Sequence, residues 1–290
     1  MPSVNPSEST YQHPPQAHFD ENNETVALMS GRYIKKHQIG EGCFSKVFLA
    51  EKITGNTENK YVALKKPSHY GEIEINALKA LNPHVNIVTM LDYSLDSSTI
   101  AMELADCNVY QLIGLWGQDK TRLNSKQLNF FIAELLRGYL HILQKGRIIS
   151  ADISQKNVLY VARENRLKIS DFGRPNNSDG TLIWNRIQQQ KIGELLLSLL
   201  DRMGHDCVGV PPGQKDCSGC YQYEIRICRE GPDKSLKRLK QELRNEQEKI
   251  ISDLLNARLD SGQIENILES LTTQLEILPK PDKFSDPLRA

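Results

Sequence analysis

The stretch from Ile148 to Arg174 reads IISADISQKNVLYVARENRLKISDFGR, and the spacing of three polar residues in it limits the fold more than anything else in the chain. Asp152 and Asn157 stand in a D-x-x-x-x-N arrangement, from which Val158 and Leu159 continue as a buried strand. Asp171-Phe172-Gly173 follows a second short apolar strand. Taken singly, Asp152 and Asn157 could cap a helix or a turn, and SDFG could be a strand followed by a turn. Taken together they are the residue types that phosphoryl-transfer chemistry needs. One carboxylate orients an attacking hydroxyl, while a second carboxylate and a carboxamide hold metal ions against the phosphate charge.

The amino-terminal half supplies further parts in order. Ile39 to Ala50, IGEGCFSKVFLA, is a glycine turn between two strand-like segments, and Gly40 and Gly42 let a backbone approach phosphate oxygens with no side chain in the way. YVALKK then places Lys65 on a strand, followed by Glu74 in EIEINALKAL, then HVNIVTMLDY and TIAMELADCNVYQL. In this sequence of motifs the chain resembles the eukaryotic protein-kinase superfamily over roughly residues 33 to 200.

The resemblance implies a two-lobed α+β fold, with a five-stranded antiparallel sheet and one helix in the N-lobe and a mainly helical C-lobe. The expected kinase-like domain is 31–278, divided into an N-lobe of about 31–105 and a C-lobe of about 106–278. Residues 1–30 read as a disordered tail and 279–290 as a loose end. Strands are expected over Tyr33–Ile39, Lys46–Ile53, Lys60–Lys66, Ile87–Tyr93 and Thr99–Leu104, and a helix over Glu72–Leu81. Leu128, Phe131, Leu135, Leu136, Tyr139 and Leu143 form a helical stripe over Asn124–Gln144, capped by Ser125 or Asn124. A second buried helix is expected over Lys191–Met203.

For the site, the resemblance implies MgATP as phosphoryl donor. Asp152 would be the catalytic carboxylate, Lys65 would pair with the phosphates and with Glu74, and Asn157 and Asp171 would hold magnesium. Gly40 and Gly42 would cover the phosphates, Val47 and Ala63 would face the adenine from above and Leu159 from below. Met102 would be the gatekeeper, Glu103 to Ala105 the hinge that pairs with adenine, and Asn108 would approach the ribose. Lys156 either brings a positive charge to the γ-phosphate or is a solvated loop lysine.

Departures from the family pattern are as informative. Ser45 stands at the third glycine position of the phosphate loop, and only nine residues separate Lys65 from Glu74, so the helix must start almost directly from the strand, with Glu72 as the alternative partner. Ser150-Ala151 replaces the His-Arg before the catalytic aspartate, which removes the usual reader of an activation-loop phosphate, and Ser154 replaces a lysine. After Gly173 a turn-rich RPNNSDG leads quickly into the IGELLLSLL helix with no A-P-E, and that helix lacks the aspartate that ordinarily ties it to the catalytic loop. The usual platform for an extended peptide is therefore absent or replaced.

Composition narrows the rest. With 36 basic and 36 acidic residues the formal net charge is zero, which implies no bulk attraction to nucleic acid or to an anionic membrane. No apolar run reaches the about 18 residues that a spanning helix needs. The amino terminus lacks the basic start and apolar core of a signal peptide, and six scattered cysteines fit a reducing cytoplasm or nucleus. Cys207, Cys217, Cys220 and Cys228, or His205 with three of these, could close a zinc site; the alternative is a loop with free thiols. Pro232 to Leu278 is charged and helical in pattern, with an apolar seam of Leu236, Leu239, Leu243, Ile250, Leu254 and Leu255 and a second helix over Ser261–Leu275. This pair either closes the C-lobe or binds a protein partner. Two functions remain: a divergent kinase acting on Ser/Thr hydroxyls of protein substrates, and a pseudokinase that works as a nucleotide-binding scaffold.

Overall fold

β-Branched and aromatic residues concentrate in three amino-terminal runs, and these form β2 (Arg32–Gly42), β3 (Ser45–Lys52) and β4 (Tyr61–Pro67). The computed structural model describes residues 24–42, 45–53, 60–118, 123–145, 152–173, 181–203 and 245–278. His205, Cys207, Cys217, Cys220 and Cys228 lie outside the described residues, as do Ser150, Ala151 and Leu236, Leu239 and Leu243. With β1 (Thr25–Ala27), β5 (Met90–Ser94) and β6 (Thr99–Glu103), the strands make an antiparallel sheet in the order β1-β2-β3-β4-β6-β5.

The sheet thus has six strands, one more than the sequence predicts. The extra strand, β1, falls within the stretch read as a tail, and it pairs with β2 so that Val26 lies opposite Tyr33. Three residues are too few to show a periodicity. What holds them is a small core of Val26, Tyr33, Ala50, Val62, Leu64 and Ala101. Nearby, the buried Asp92 carboxylate accepts hydrogen bonds from the Ser30 N–H at 3.1 and 3.2 Å and from the Tyr33 hydroxyl at 3.1 Å, so the segment after β1 is also tied to β5.

Helix α1 (Gly71–Leu81) follows β4 after only three residues, Ser68-His69-Tyr70. The turn is made by Tyr70 in the left-handed region, φ 60°, and by Gly71, where a Cβ would lie 2.4 Å from Ser98 Cβ and 2.9 Å from the Ser98 carbonyl oxygen. No side chain fits there. Glycine is what allows the helix to lie this close to the β5–β6 turn.

The larger core belongs to the C-lobe and reaches up to α1. Its centre is α3 (Ser125–Lys145), whose predicted stripe is buried from Leu128 through Tyr139. Asn124 caps it: its side-chain oxygen accepts from the N–H groups of Lys126 and Gln127 at 2.9 and 3.0 Å, and the Gln127 side chain accepts in return from the Asn124 N–H at 2.9 Å. A second sheet, β7 (Cys107–Asn108), β8 (Val158–Val161) and β9 (Arg166–Ile169), lies between the lobes, with α2 (Val109–Gln118) after β7.

Helix α4 (Thr181–Met203) begins ten residues before the Lys191 start that the sequence predicts. A polar run, Gln188 to Lys191, separates its first apolar residues from the IGELLLSLL stripe, so the sequence breaks the helix there. It is held instead by Gln189, which donates to the Leu259 carbonyl at 2.7 Å and accepts from the Leu259 N–H at 3.0 Å, and by the Tyr139 hydroxyl on the Asn185 carbonyl at 3.0 Å. α5 (Asn245–Leu255) buries Ile250, Ile251, Leu254 and Leu255 against α4, and a Cβ at Gly193 would meet Leu255 Cδ2 at 2.8 Å. α6 (Ser261–Thr272), opened by a capping box of Asp260 and Gln263, packs on α3. The described part of the carboxy-terminal seam therefore closes the C-lobe rather than presenting an open partner-binding face.

Two measurable consequences follow from this packing. Gly71→Ala should destabilise the fold by about 1–3 kcal/mol through overpacking against Ser98, read as a lower denaturant midpoint; an unchanged midpoint would show that the β5–β6 turn yields freely. The second concerns His84 and His141, whose rings stack at 4.0 Å between the α1–β5 loop and α3. Burial, then the charges of His141 and Arg137, push His84 from its ordinary 6.5 down to about 4. Between these values the unfolded chain binds the proton and the native one does not, so this contribution is complete above about pH 6.5 and is lost as pH falls toward about 4. The denaturant midpoint should drop over that window, and His84→Gln should flatten the drop.

Candidate active site

Lys65 sits on the central strand β4, in register with Val47 on β3, and is only 6% exposed. Its ammonium lies 2.7 Å from each carboxylate oxygen of Glu74 and 3.0 Å from Asp171 Oδ1. The nine-residue interval resolves in favour of Glu74, which is 1% exposed, while Glu72 points to solvent. Glu74 reaches the lysine because α1 starts so early, and its place in the first helical turn sets the carboxylate in the favourable field of the helix amino terminus. Burial opposes the charge on Lys65, but the Glu74 and Asp171 charges outweigh it and hold its pKa above the ordinary value. Burial also raises the Glu74 carboxyl, against the pull of Lys65.

Strands β8 and β9 bring the remaining predicted groups to the same place. The Asn157 carboxamide donates to the Asp152 carbonyl at 3.0 Å and to Asp171 Oδ2 at 3.4 Å, and Ser170 binds the Asn157 carbonyl through both its N–H (2.8 Å) and its hydroxyl (2.7 Å). Asp171 itself has φ 65°, a left-handed conformation that costs energy for a residue with a Cβ. Its neighbours impose it. Phe172 is fully buried in the core beneath α1, and its N–H binds Glu74, so the Asp171 side chain must face Lys65 and Asn157.

Lys156 stands 5.7 Å above the Tyr110 ring and lines the same cavity of about 530 Å³ as Lys65, Asp152, Asn157 and Asp171. Gly42 and Ser45 form part of its roof. Gly40 lies opposite Val47 in the β2–β3 hairpin. Between Lys156 and Asp152, Gln155 donates from its side chain to Ser198 on α4, and its carbonyl accepts from the Tyr110 N–H at 3.0 Å. The Gln155–Ser198 contact ties the loop to α4, the helix in which the sequence shows no aspartate for that purpose.

On the expected adenine side, Ala63 is in register with Met102, and Leu159 with Asn108. Here two residues gain side-chain partners that the sequence did not show. The Asn108 side-chain oxygen accepts from the Gln111 N–H at 2.9 Å and so caps α2. Glu103, read only as a backbone hinge residue leading to Ala105, also uses its side chain: the buried carboxylate accepts from Lys168 Nζ at 2.8 and 2.9 Å and from the Thr89 N–H at 2.7 Å. Sequence reasoning missed Lys168, Gln155 and Ser198. It also missed His69 and Tyr70, which line the cavity from the short β4–α1 connection. For the last pair a signal existed in the nine-residue interval.

Removing Lys65 alone should leave the buried Glu74 carboxylate without its counter-charge. Lys65→Met is expected to destabilise the fold by about 3–5 kcal/mol, and Lys65→Met with Glu74→Leu to recover much of the loss. Denaturant melts of both variants check this; equal stability of wild type and Lys65→Met would show that the ion pair does not hold α1.

Comparison with known proteins agrees with this geometry. The family model for the protein kinase domain matches residues 33–182. The mouse MAPK/MAK/MRK overlapping kinase is 31% identical over 147 residues, covering 47% of this chain and 33% of that protein. A serine/threonine-protein kinase of Yarrowia lipolytica is 29% identical over 194 residues, 60% of this chain and 26% of its own length. The CTD kinase subunit alpha of Saccharomyces cerevisiae is 30% identical over 149 residues, 49% and 27% respectively. The chain spans about a third or less of the length of these relatives. With the match covering half of the sequence, and the lysine, glutamate and aspartates converging on one cavity, the chain belongs to the protein kinase family.

Proposed function

We propose that this chain is an ATP-dependent protein kinase that phosphorylates Ser or Thr hydroxyls of a protein substrate. The observation that carries the proposal is the assembled set Lys65–Glu74–Asp171 around the cavity that also holds Asp152 and Asn157. Lys65, oriented by Glu74, would bind the α and β phosphates. Gly40 and Gly42 would lie over them, and Val47, Ala63 and Leu159 would enclose the adenine, with Glu103 to Ala105 as hinge. Asp171 and Asn157 have the donor set for magnesium, an oxygen-seeking ion that neutralises developing phosphate charge when bound with the nucleotide. Asp152 would orient the acceptor hydroxyl and take its proton as the new O–P bond forms and the bond to the β–γ bridging oxygen breaks. Lys156, which lines the same cavity, would balance charge on the transferring group. The Ser/Thr preference is supported by the name of the Yarrowia relative.

A second reading, a pseudokinase scaffold, is favoured by one observation: Ser150-Ala151 and Ser154 stand where the family has His-Arg and a lysine. The intact Lys65, Asp152, Asn157 and Asp171 support the enzyme. No described helix is long and apolar enough to cross a membrane, and a cytoplasmic or nuclear location fits the proposal.

Millimolar MgATP should raise the melting temperature by mass action, with the rise reduced in Lys65→Ala and Asp171→Asn; no rise in wild type would sink the nucleotide site. Asp152→Asn should lower turnover by about a hundredfold or more, roughly 2.7 kcal/mol, while the MgATP-induced shift persists. Equal background phosphorylation by wild type and Asp152→Asn, with that shift intact, would replace the kinase by the scaffold.

A further inference from the structure

The cavity beside Asp152 has a wall that the usual kinase plan does not provide. Because α1 begins three residues after β4, the connection does not swing away from the site: His69 and Tyr70 line the cavity together with Asp152, Ser154 and Lys156. Tyr70 is 51% exposed and held with φ 60°, a conformation uncommon for a bulky residue, fixed between the end of β4 and the close approach of Gly71 to Ser98. The rings of His69 and Tyr70 are tilted to each other at 6.2 Å, so they form a small aromatic ledge. This ledge shares the part of the cavity that holds Lys65, Asn157 and Asp171 as well as Asp152. Asp152 and Lys156 line the cavity with it, whereas the adenine-side residues Ala63, Met102 and Leu159 do not.

Residues 174–180 alone separate Gly173 from the start of α4, too short a segment for the platform on which kinases usually lay an extended peptide. We propose that His69 and Tyr70 replace part of that platform as an acceptor-recognition wall, on which Tyr70 packs against a large apolar or aromatic side chain next to the phosphorylated Ser or Thr. The inference rests on the kinase reading above and names its substrate class. An exposed tyrosine at a helix amino terminus suits this purpose, since it offers a broad aromatic face with only two side-chain torsions to order on binding. Lys65 is engaged by Glu74 and Asp171 and so is not available to select a flanking residue.

The test is phosphotransfer by the full chain to a positional-scanning library of peptides, each with one central Ser or Thr and one flanking position set in turn. Wild type should select large apolar or aromatic residues at one flanking position. Tyr70→Ala should abolish that selection and raise KM for the best peptide about tenfold, without a parallel rise in KM for MgATP, and Tyr70→Phe should keep both properties. Tyr70→Gly, which suits the left-handed backbone, should behave like Tyr70→Ala and removes misfolding as an explanation. His69→Ala should also weaken peptide KM. The proposal is overturned if wild type shows no flanking preference, if Tyr70→Gly keeps the preference, or if KM for MgATP rises together with that for peptide. Any of these leaves the kinase reading standing, whereas wild type that phosphorylates no peptide removes the kinase reading and this inference with it.

Discussion

One ammonium group, Lys65 Nζ, connects three parts of the chain that are not neighbours in sequence: the central strand β4, the first turn of α1 and the segment after β9. An ammonium this deeply buried is costly unless its charge is matched, and the two carboxylates supply the match. The consequences spread outward. Glu74 also receives the Phe172 N–H, Phe172 fills the core under α1, and Asp171 is thereby held in a strained conformation facing Asn157. The two lobes are linked through the groups that the proposed chemistry uses.

The strand that leads to Asp171, β9, is positioned by a second set of buried charges. Glu134 on α3 is fully buried and accepts from Asn86 at 2.7 Å, from Arg137 at 2.6 Å, from Arg166 at 2.7 Å and from the Leu167 N–H at 3.2 Å. On the other side of β9, Lys168 binds Glu103 at the start of the hinge. Buried carboxylates therefore grip β9 from below and from the front. Their net worth in stability is modest, since desolvation offsets attraction, but a displaced β9 would leave several charges unmatched. They define where Asp171 stands more than they stabilise the fold.

Where the chain departs from its family, the structure shows local substitutes. The short β4–α1 connection removes the amino-terminal turns of a longer helix, and Gly71 lets what remains pack directly on the β5–β6 turn with Glu74 already in place. In α4, Ser198 meets Gln155 and anchors the Asp152 loop without an aspartate. A neutral pair of this kind avoids placing another charge beneath a loop that already carries Asp152.

The sequence by itself determined the parts whose chemistry is local. The D-x-x-x-x-N spacing, the DFG turn, the lysine strand and the α3 stripe each lie within a short window, where residue type and period are sufficient evidence. Convergence of Lys65, Glu74, Asp152, Asn157 and Asp171 was legible because each motif occupies a set place in a known plan. Tertiary structure alone decided the rest. β1 exists because Val26 finds a core built from four other strands, and α4 extends back to Thr181 because Gln189 satisfies the backbone of Leu259, 70 residues away. Glu103 chooses Lys168 from 65 residues away, and Gln155 chooses Ser198 from 43. Asn108 finds its partner locally, its oxygen taken by a neighbour three residues on once α2 began there. Such partners are selected by proximity in the folded chain and by the penalty on unpaired buried polar groups, neither of which leaves a periodic trace in sequence.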